Sequence, residues 1–246
     1  MERNCQFEVA QVSSLSVHLG RGQVELFADE VSQIQVLCSG DAKSVTDLRV
    51  ELKDGELTIE QPQYGFSANI TEGHWLQISI RMPKSGPDSI SLNTIGGMLI
   101  ARGISAKNLT MDSTTGDLHA LNLTAGKLHL RNITGKIHGE GLQVETLSTR
   151  NINGEIEMEG LRVDTLKGSN ISGTQTYTMT SPFQAVYVTS VTGTVMVSAP
   201  VNRMKVTLHS LTGQVRTEGV DITDDGPLLQ ITGVSADLKL LGRQQA

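Results

Sequence analysis

Eight glycines in one register constrain this chain more than any other feature. Gly97, Gly116, Gly135, Gly154, Gly173, Gly193, Gly213 and Gly233 follow one another at intervals of 19, 19, 19, 19, 20, 20 and 20 residues. Two positions before them stand Ile95, Thr114, Ile133, Ile152, Ile171, Val191, Leu211 and Ile231, and two after the early ones stand Leu99, Leu118, Ile137 and Ile156. Further apolar columns recur seven after (Ile104, Leu123, Leu142, Leu161) and twelve after (Leu109, Leu128, Leu147, Leu166). A fixed period of this size marks a stacked repeat. Within a unit, apolar residues pair at i and i+2, as in Leu128/Leu130 and Leu142/Val144, in pieces too short for helices. One unit cannot enclose a core, but stacked units bury their apolar columns against one another. The expected fold is therefore all-β: a single-stranded β-helix or β-solenoid of 19–20 residues per coil, right-handed.

The glycine is expected at a tight corner that needs a positive φ or a close backbone approach. The columns two before and two after it are assigned to the interior, which puts Ile152 in the middle of the core. Asn132, Asn151 and Asn170, each three before a glycine, would stack about 4.8 Å apart with amides bonding along the ladder. Ser113, Ser190, Ser210 and Gln230 continue that column.

The first 90 residues lack the register but keep the character. Residues 24–38, 48–62 and 75–83 read as strands, and Asp54-Gly55 as a hairpin turn. The stretch PKSGPDS, residues 83–89, is the one seam. Residues 1–89 are expected as an irregular β cap and 90–246 as the regular array of one continuous domain. At the far end, residues 235–240 alternate polar and apolar before a polar tail. By count Asp237 falls where earlier coils have inward Ala120 or Met158, so a charge facing the column is expected to stop the stack. That implies a monomer or small oligomer.

At this point a family resemblance appears. V-E-L-K-D-G-E-L-T-I (50–59), L-Q-I-S-I-R-M-P (76–83) and the repeated N-I-x-G-x-I-x-x-E-G (132–141, 151–160) resemble the bacterial β-repeat family of "putative adhesins", a domain-of-unknown-function family. The resemblance implies a β-helix-like solenoid, often associated with the bacterial envelope.

Composition sets the remaining bounds. Aromatics are 3% of residues against 38% hydrophobic, so the core is built from Leu, Ile and Val. The net charge is −6, with no Lys/Arg run of the kind that nucleic acid or anionic lipid selects. Cys5 and Cys38 form neither a disulfide framework nor a zinc ribbon, and read as free thiols in a reducing compartment. The start MERNCQFEVA is not an apolar leader, and no segment reads as a membrane span. A cytoplasmic location is expected for the chain as it stands, and cell-envelope association if a leader or anchor belongs with it.

Three groups carry chemistry worth weighing. His119 and His138 lie three after their glycines, and Glu157 holds the same place in the next coil. Two imidazoles and a carboxylate in one outward column are a candidate metal site, yet the column continues with Thr176, Met196 and Arg216. No metal and no cofactor are expected. Asp117, Lys136 and Glu155 form an alternating-charge column that pins the stacking register. Gln175 falls where neighbours have Ile or Val, so a bulge or loop is expected near 174–184. No Ser-His-Asp spacing, P-loop or dinucleotide fingerprint is present. The sequence therefore points to a non-enzymatic scaffold or binding module whose partner is a protein or carbohydrate surface. The alternatives are a polysaccharide-active β-helix enzyme, with carboxylates clustered in a groove, and a filament-forming or DNA-mimic solenoid.

Overall fold

Alternating apolar and polar residues become strands through most of the protein, as seen in a computed structural model that describes residues 1–62 and 75–242. The fold is all-β, with most pairings parallel. The chain divides into two compact units, Met1–Ala125 and Gly126–Ala246.

The first unit holds β1 (Glu2–Glu8), β2 (Ser14–Ala28), β3 (Gln33–Gly40), a helix α1 (Ala42–Asp47), β4 (Arg49–Lys53), β5 (Glu56–Glu60), β6 (Leu76–Met82), β7 (Ser89–Gly96), β8 (Leu99–Arg102), β9 (Ser105–Thr115) and β10 (Leu118–Leu121). The long β2 is shared between two rungs. Its first half pairs with β5 and β7, and its second half with β6 and β8. The entry is antiparallel: β1 pairs β3, β3 pairs β6, and β4 pairs β5. From β7 onward the rungs are parallel and 19 residues apart, with Ile90 beside Leu109 and Leu99 beside Leu118. Asp54 (φ 50°) and Gly55 (φ 82°) make the β4–β5 turn, a pair of positive φ values that Asp-Gly supplies cheaply. The periodicity gave no sign of α1, a six-residue helix started by Asp41, whose carboxylate accepts from the Ser44 backbone N–H at 2.9 Å.

The second unit holds most of β11 (Thr124–Arg131), then β12 (Ile137–Glu140), β13 (Gln143–Arg150), β14 (Ile156–Ser172), β15 (Gln175–Met179), β16 (Ala185–Ser198), β17 (Arg203–Thr212), β18 (Val215–Glu218), β19 (Asp221–Ile222) and β20 (Leu228–Leu241). Its core is a stack of identical or similar residues, such as Val144 on Val163 and Leu147 on Leu166 on Val186. The irregularity expected near 174–184 is a shift of register, in which Met158 faces Tyr177 but Leu161 faces Met179. Gln175 nevertheless points inward, fully buried in line with Ile156 and Val195.

The glycine column is a set of stacked corners. Gly97, Gly116, Gly135, Gly154, Gly173 and Gly193 all have φ between 124° and 140°. A Cβ on Gly116 would lie 1.8 Å from the Gly97 carbonyl oxygen, and one on Gly173 2.1 Å from that of Gly154. These corners reverse one expectation. The strand alternation is broken at the glycine, so the residue three before it and the residue two after it both face inward. Asn132, Asn151 and Asn170 are therefore buried, while Ile95, Ile171, Val191 and Leu211 are exposed and Ile133 and Ile152 half-exposed.

The expected order of coils also fails after residue 198. β20 lies between β16 and β17, with Val188 beside Ile231 and Ile231 beside Leu208. The rung of β17 and β18 thus comes after the last strand in space and before it in sequence. Gly233 consequently sits opposite Ser190 and Ser210, and neither Gly213 nor Gly233 shares the positive φ of the other six. Gln230 leaves the Asn column and stands beside Tyr187 and Thr207. Asp237 is not an inward stop. It is exposed opposite Thr194 and accepts from the Gln214 backbone N–H at 3.1 Å. The polar tail expected after residue 240 lies mostly outside the described residues.

Two outcomes test this arrangement. Leu147→Asp should cost about 3 kcal/mol or more by burying an unpaired carboxylate, while Ile152→Asp should cost under about 1 kcal/mol, both read by denaturant titration. Cysteines at Thr189 and Thr232, which are register partners, should cross-link on oxidation. Cysteines at Thr189 and His209, one strand further apart, should not.

Candidate binding surface

The expected ligand column resolves into separate parts. His119 belongs to the first unit, on β10 beside Ile100. His138 and Glu157 are register partners in the second unit, with His138 Nδ1 3.4 Å from Glu157 Oε2. The same carboxylate oxygen is held by Lys136 Nζ. Lys136 is the largest cause of the lowered pKa of Glu157, with His138 adding to it. The carboxylate is thus already answered by a cation, and the described residues contain no cluster of three or more His, Cys, Asp or Glu suited to a metal.

The most polar part of the second unit's interior surrounds Tyr177. Its hydroxyl donates to Gln175 Oε1 at 3.0 Å and lies 2.8 Å from Thr149 Oγ1, which can then donate to it. Gln175 Nε2 donates to the Thr189 carbonyl at 3.0 Å. Gly168 makes the room, since a Cβ there would meet the phenol oxygen at 2.2 Å. The ring and its partners are fully or almost fully buried, and burial pushes the Tyr177 pKa up. The asparagine column works differently from a side-chain ladder. Asn151 and Asn170 Nδ2 donate to the carbonyls of Gly135 and Gly154 at 2.8 and 2.9 Å, clasping the corner of the preceding rung. Cys38 is likewise buried, its thiol pushed up to about 11 mainly by that burial, while Cys5 is half-buried. These groups consolidate the fold.

The outer skin differs from face to face. Beside β12 and its neighbours Glu140, Glu155, Glu157 and Glu159 gather with Lys136 and His138. In the first unit a shallow groove over β4 and β5 is lined by Arg49, Glu51, Lys53, Asp54 and Glu56, and its charges answer one another, Arg49 pairing with Glu51 and Glu60. The face formed by β11, β13, β14, β16, β20 and β17 is unlike either. Residues 127–133, 146–152, 165–171, 185–191, 228–234 and 205–211 include no Asp or Glu. They carry Lys127, Arg131, Arg150, Lys167 and Lys205, all exposed. None of these five is in an ion pair among the described residues.

Along one margin of this face runs the outward column described above. Ile133, Ile152, Ile171, Val191, Val234 and Leu211 occupy six successive rungs, with Ile171 47%, Val191 38%, Val234 48% and Leu211 84% exposed. At about 4.8 Å per rung the ridge is roughly 24 Å long. The repeat itself announces these residues, but strand parity counted straight through the glycine sends them inward. The cations escape a sequence scan because they are scattered between residues 127 and 205 and share a face only when the rungs stack.

Stacked rungs of 19–20 residues around Leu, Ile and Val columns define a β-solenoid repeat protein. The chain belongs to the Toastrack DUF4097 family, whose model matches residues 12–226. Similar solved structures include a "putative adhesin" from Parabacteroides merdae, with TM-score 0.63, 9% identity and coverage of 98% of this chain and 96% of that one. A "putative adhesin" from Bacteroides fragilis gives TM-score 0.59 at 16% identity, covering 98% and 97%. A "putative lipid binding protein" from Parabacteroides distasonis gives 0.59 at 15% identity, covering 97% and 96%. At these identities the likeness is one of fold. No curated protein matches the chain.

The Tyr177 cluster yields a pH prediction. The unfolded phenol ionises near about pH 10, while the buried one is held neutral above that value. Its contribution is therefore fully present below about pH 10 and is lost as the pH rises beyond it. Tyr177→Phe should cost about 1–3 kcal/mol at neutral pH by stranding Thr149 and Gln175. It should also flatten the alkaline fall in stability, as measured by urea midpoints at a series of pH values.

Proposed function

We propose that this protein is a non-enzymatic binding module that presents the outer faces of its rungs to a component of the bacterial cell envelope. The observation that carries the reading is the exposed aliphatic ridge. Six rungs repeat an outward apolar side chain, four of them exposed and two half-exposed, and exposed apolar ridges of this extent mark interaction sites. The names of the structural neighbours, adhesins and a lipid-binding protein, support placement at the envelope rather than in the cytoplasm. No helix among the described residues is long and apolar enough to cross a membrane.

The alternatives fare less well. A glycosidase needs one carboxyl held protonated beside an ionised one, whereas Glu157, on the face richest in carboxylates, is shifted the opposite way by Lys136. A DNA mimic would present acid, and the acid-free face presents cations.

Binding to bacterial envelope fractions tests the proposal. The purified chain should sediment with intact envelope material, and fractions treated separately with protease, with glycosidases or by lipid extraction should show which component retains it. A chain retained by none of them, or one that releases products from envelope polysaccharide, would overturn the reading.

A further inference from the structure

The acid-free face combines two features that neither a folded core nor simple solubility requires. Arg131 and Arg150 occupy equivalent places on adjacent rungs, as the bond from the Asn132 N–H to the Arg150 carbonyl at 2.8 Å shows. Like charges opposite each other on neighbouring strands destabilise a sheet. Of the other cations in this unit, Arg216 adjoins Lys239, but Lys136 and Arg203 each have an acid beside them, Glu157 and Asp225. Here Lys167 lies next to Ser148 and Tyr187, and no carboxylate approaches. The margin of the same face is aliphatic, not aromatic. A sugar surface is met by stacking phenol or indole rings, and the six segments of this face carry one of these, Tyr187, 37% exposed, beside the exposed imidazoles of His129 and His209. A straight row of Ile, Val and Leu suits acyl chains instead.

Resting on the binding-module reading, we propose that this face docks peripherally on an anionic phospholipid surface, with the ridge from Ile133 to Leu211 entering the boundary between headgroups and acyl chains and the five cations meeting lipid phosphates. Binding of this kind scales with buried apolar area plus attraction to anionic headgroups. The charge asymmetry fixes the orientation. In a chain of net charge −6, this face joins five cations to an absence of acid in its six segments, so the second unit lies with β11, β13, β14, β16, β20 and β17 against the bilayer and its glutamate-bearing face away. Tyr187 shares its column with Lys167, and an amphipathic ring beside a cation is suited to the headgroup level.

Co-sedimentation of the full chain with vesicles tests this. Vesicles of equal parts phosphatidylglycerol and phosphatidylcholine should retain the protein, pure phosphatidylcholine vesicles should retain much less, and added salt should weaken retention. Arg131→Gln together with Arg150→Gln should lower the affinity about 25-fold, at roughly five-fold per charge. Ile171→Ser with Leu211→Ser should lower it at least about ten-fold, with the thermal midpoint of each double variant close to that of the parent. Glu159→Gln, on the other face, should leave retention unchanged. Absence of retention by the anionic vesicles would overturn the proposal. So would retention indifferent to Ile171→Ser with Leu211→Ser, accompanied by equal binding to a soluble polyanion such as heparin, since that outcome assigns the face to a polyanion. Retention on lipid-extracted envelope material alone would defeat the lipid assignment and leave the binding-module reading standing.

Discussion

Backbone stacked on backbone at the glycine corners is the constraint from which the rest follows. Where a Cβ would lie about two ångströms from a carbonyl oxygen of the rung below, as at Gly97, Gly116, Gly154, Gly173 and Gly193, no other residue fits. The corner fixes the length of a coil, and a fixed length brings like residues into line. Leu147 on Leu166 and Val144 on Val163 are therefore consequences of corner geometry as much as of hydrophobicity. Asn151 and Asn170 complete the device, holding the carbonyls of Gly135 and Gly154 at the previous corner so that these partly buried acceptors are paired.

Much of this was legible. The period, the inward columns two, seven and twelve after the glycine, the hairpin at Asp54-Gly55 and the disturbance near Gln175 can all be taken from spacing. Three things cannot. A corner with positive φ shifts strand parity, and counting through it misplaces Ile152 and its column. Two coils of equal length are interchangeable to a periodicity argument, which is why the insertion of β20 between β16 and β17 leaves no trace in the glycine intervals. Charge patterns are read along a chain, whereas Arg131 and Arg150 adjoin across rungs. The face they share therefore looks unremarkable in sequence while its neighbour is crowded with glutamates.

The two halves of the outer skin follow one logic applied differently. Beside β12 and β14, Lys136 and Glu157 pair across rungs and help to hold the register, while Glu140 and Glu159 adjoin as like charges. On the acid-free face that compensation is missing, and stability there rests on the core beneath: Leu128, Leu147, Leu166, Val186 and Leu229 are all buried. The interior supports an unbalanced surface.

The position of β20 has a consequence for biosynthesis. Residues 203–222 leave the ribosome before residues 228–241, yet among the described strands the only long partner of β17 and β18 is β20. Until those later residues arrive, the rung of β17 and β18 has no ladder to join, and β16 waits with an open edge. Assembly from the N-terminal side can therefore proceed rung by rung only as far as β16. Among the described strands β20 fills the gap between β16 and β17 and completes ladders on both its sides at once, so this part of the solenoid gains those two interfaces together.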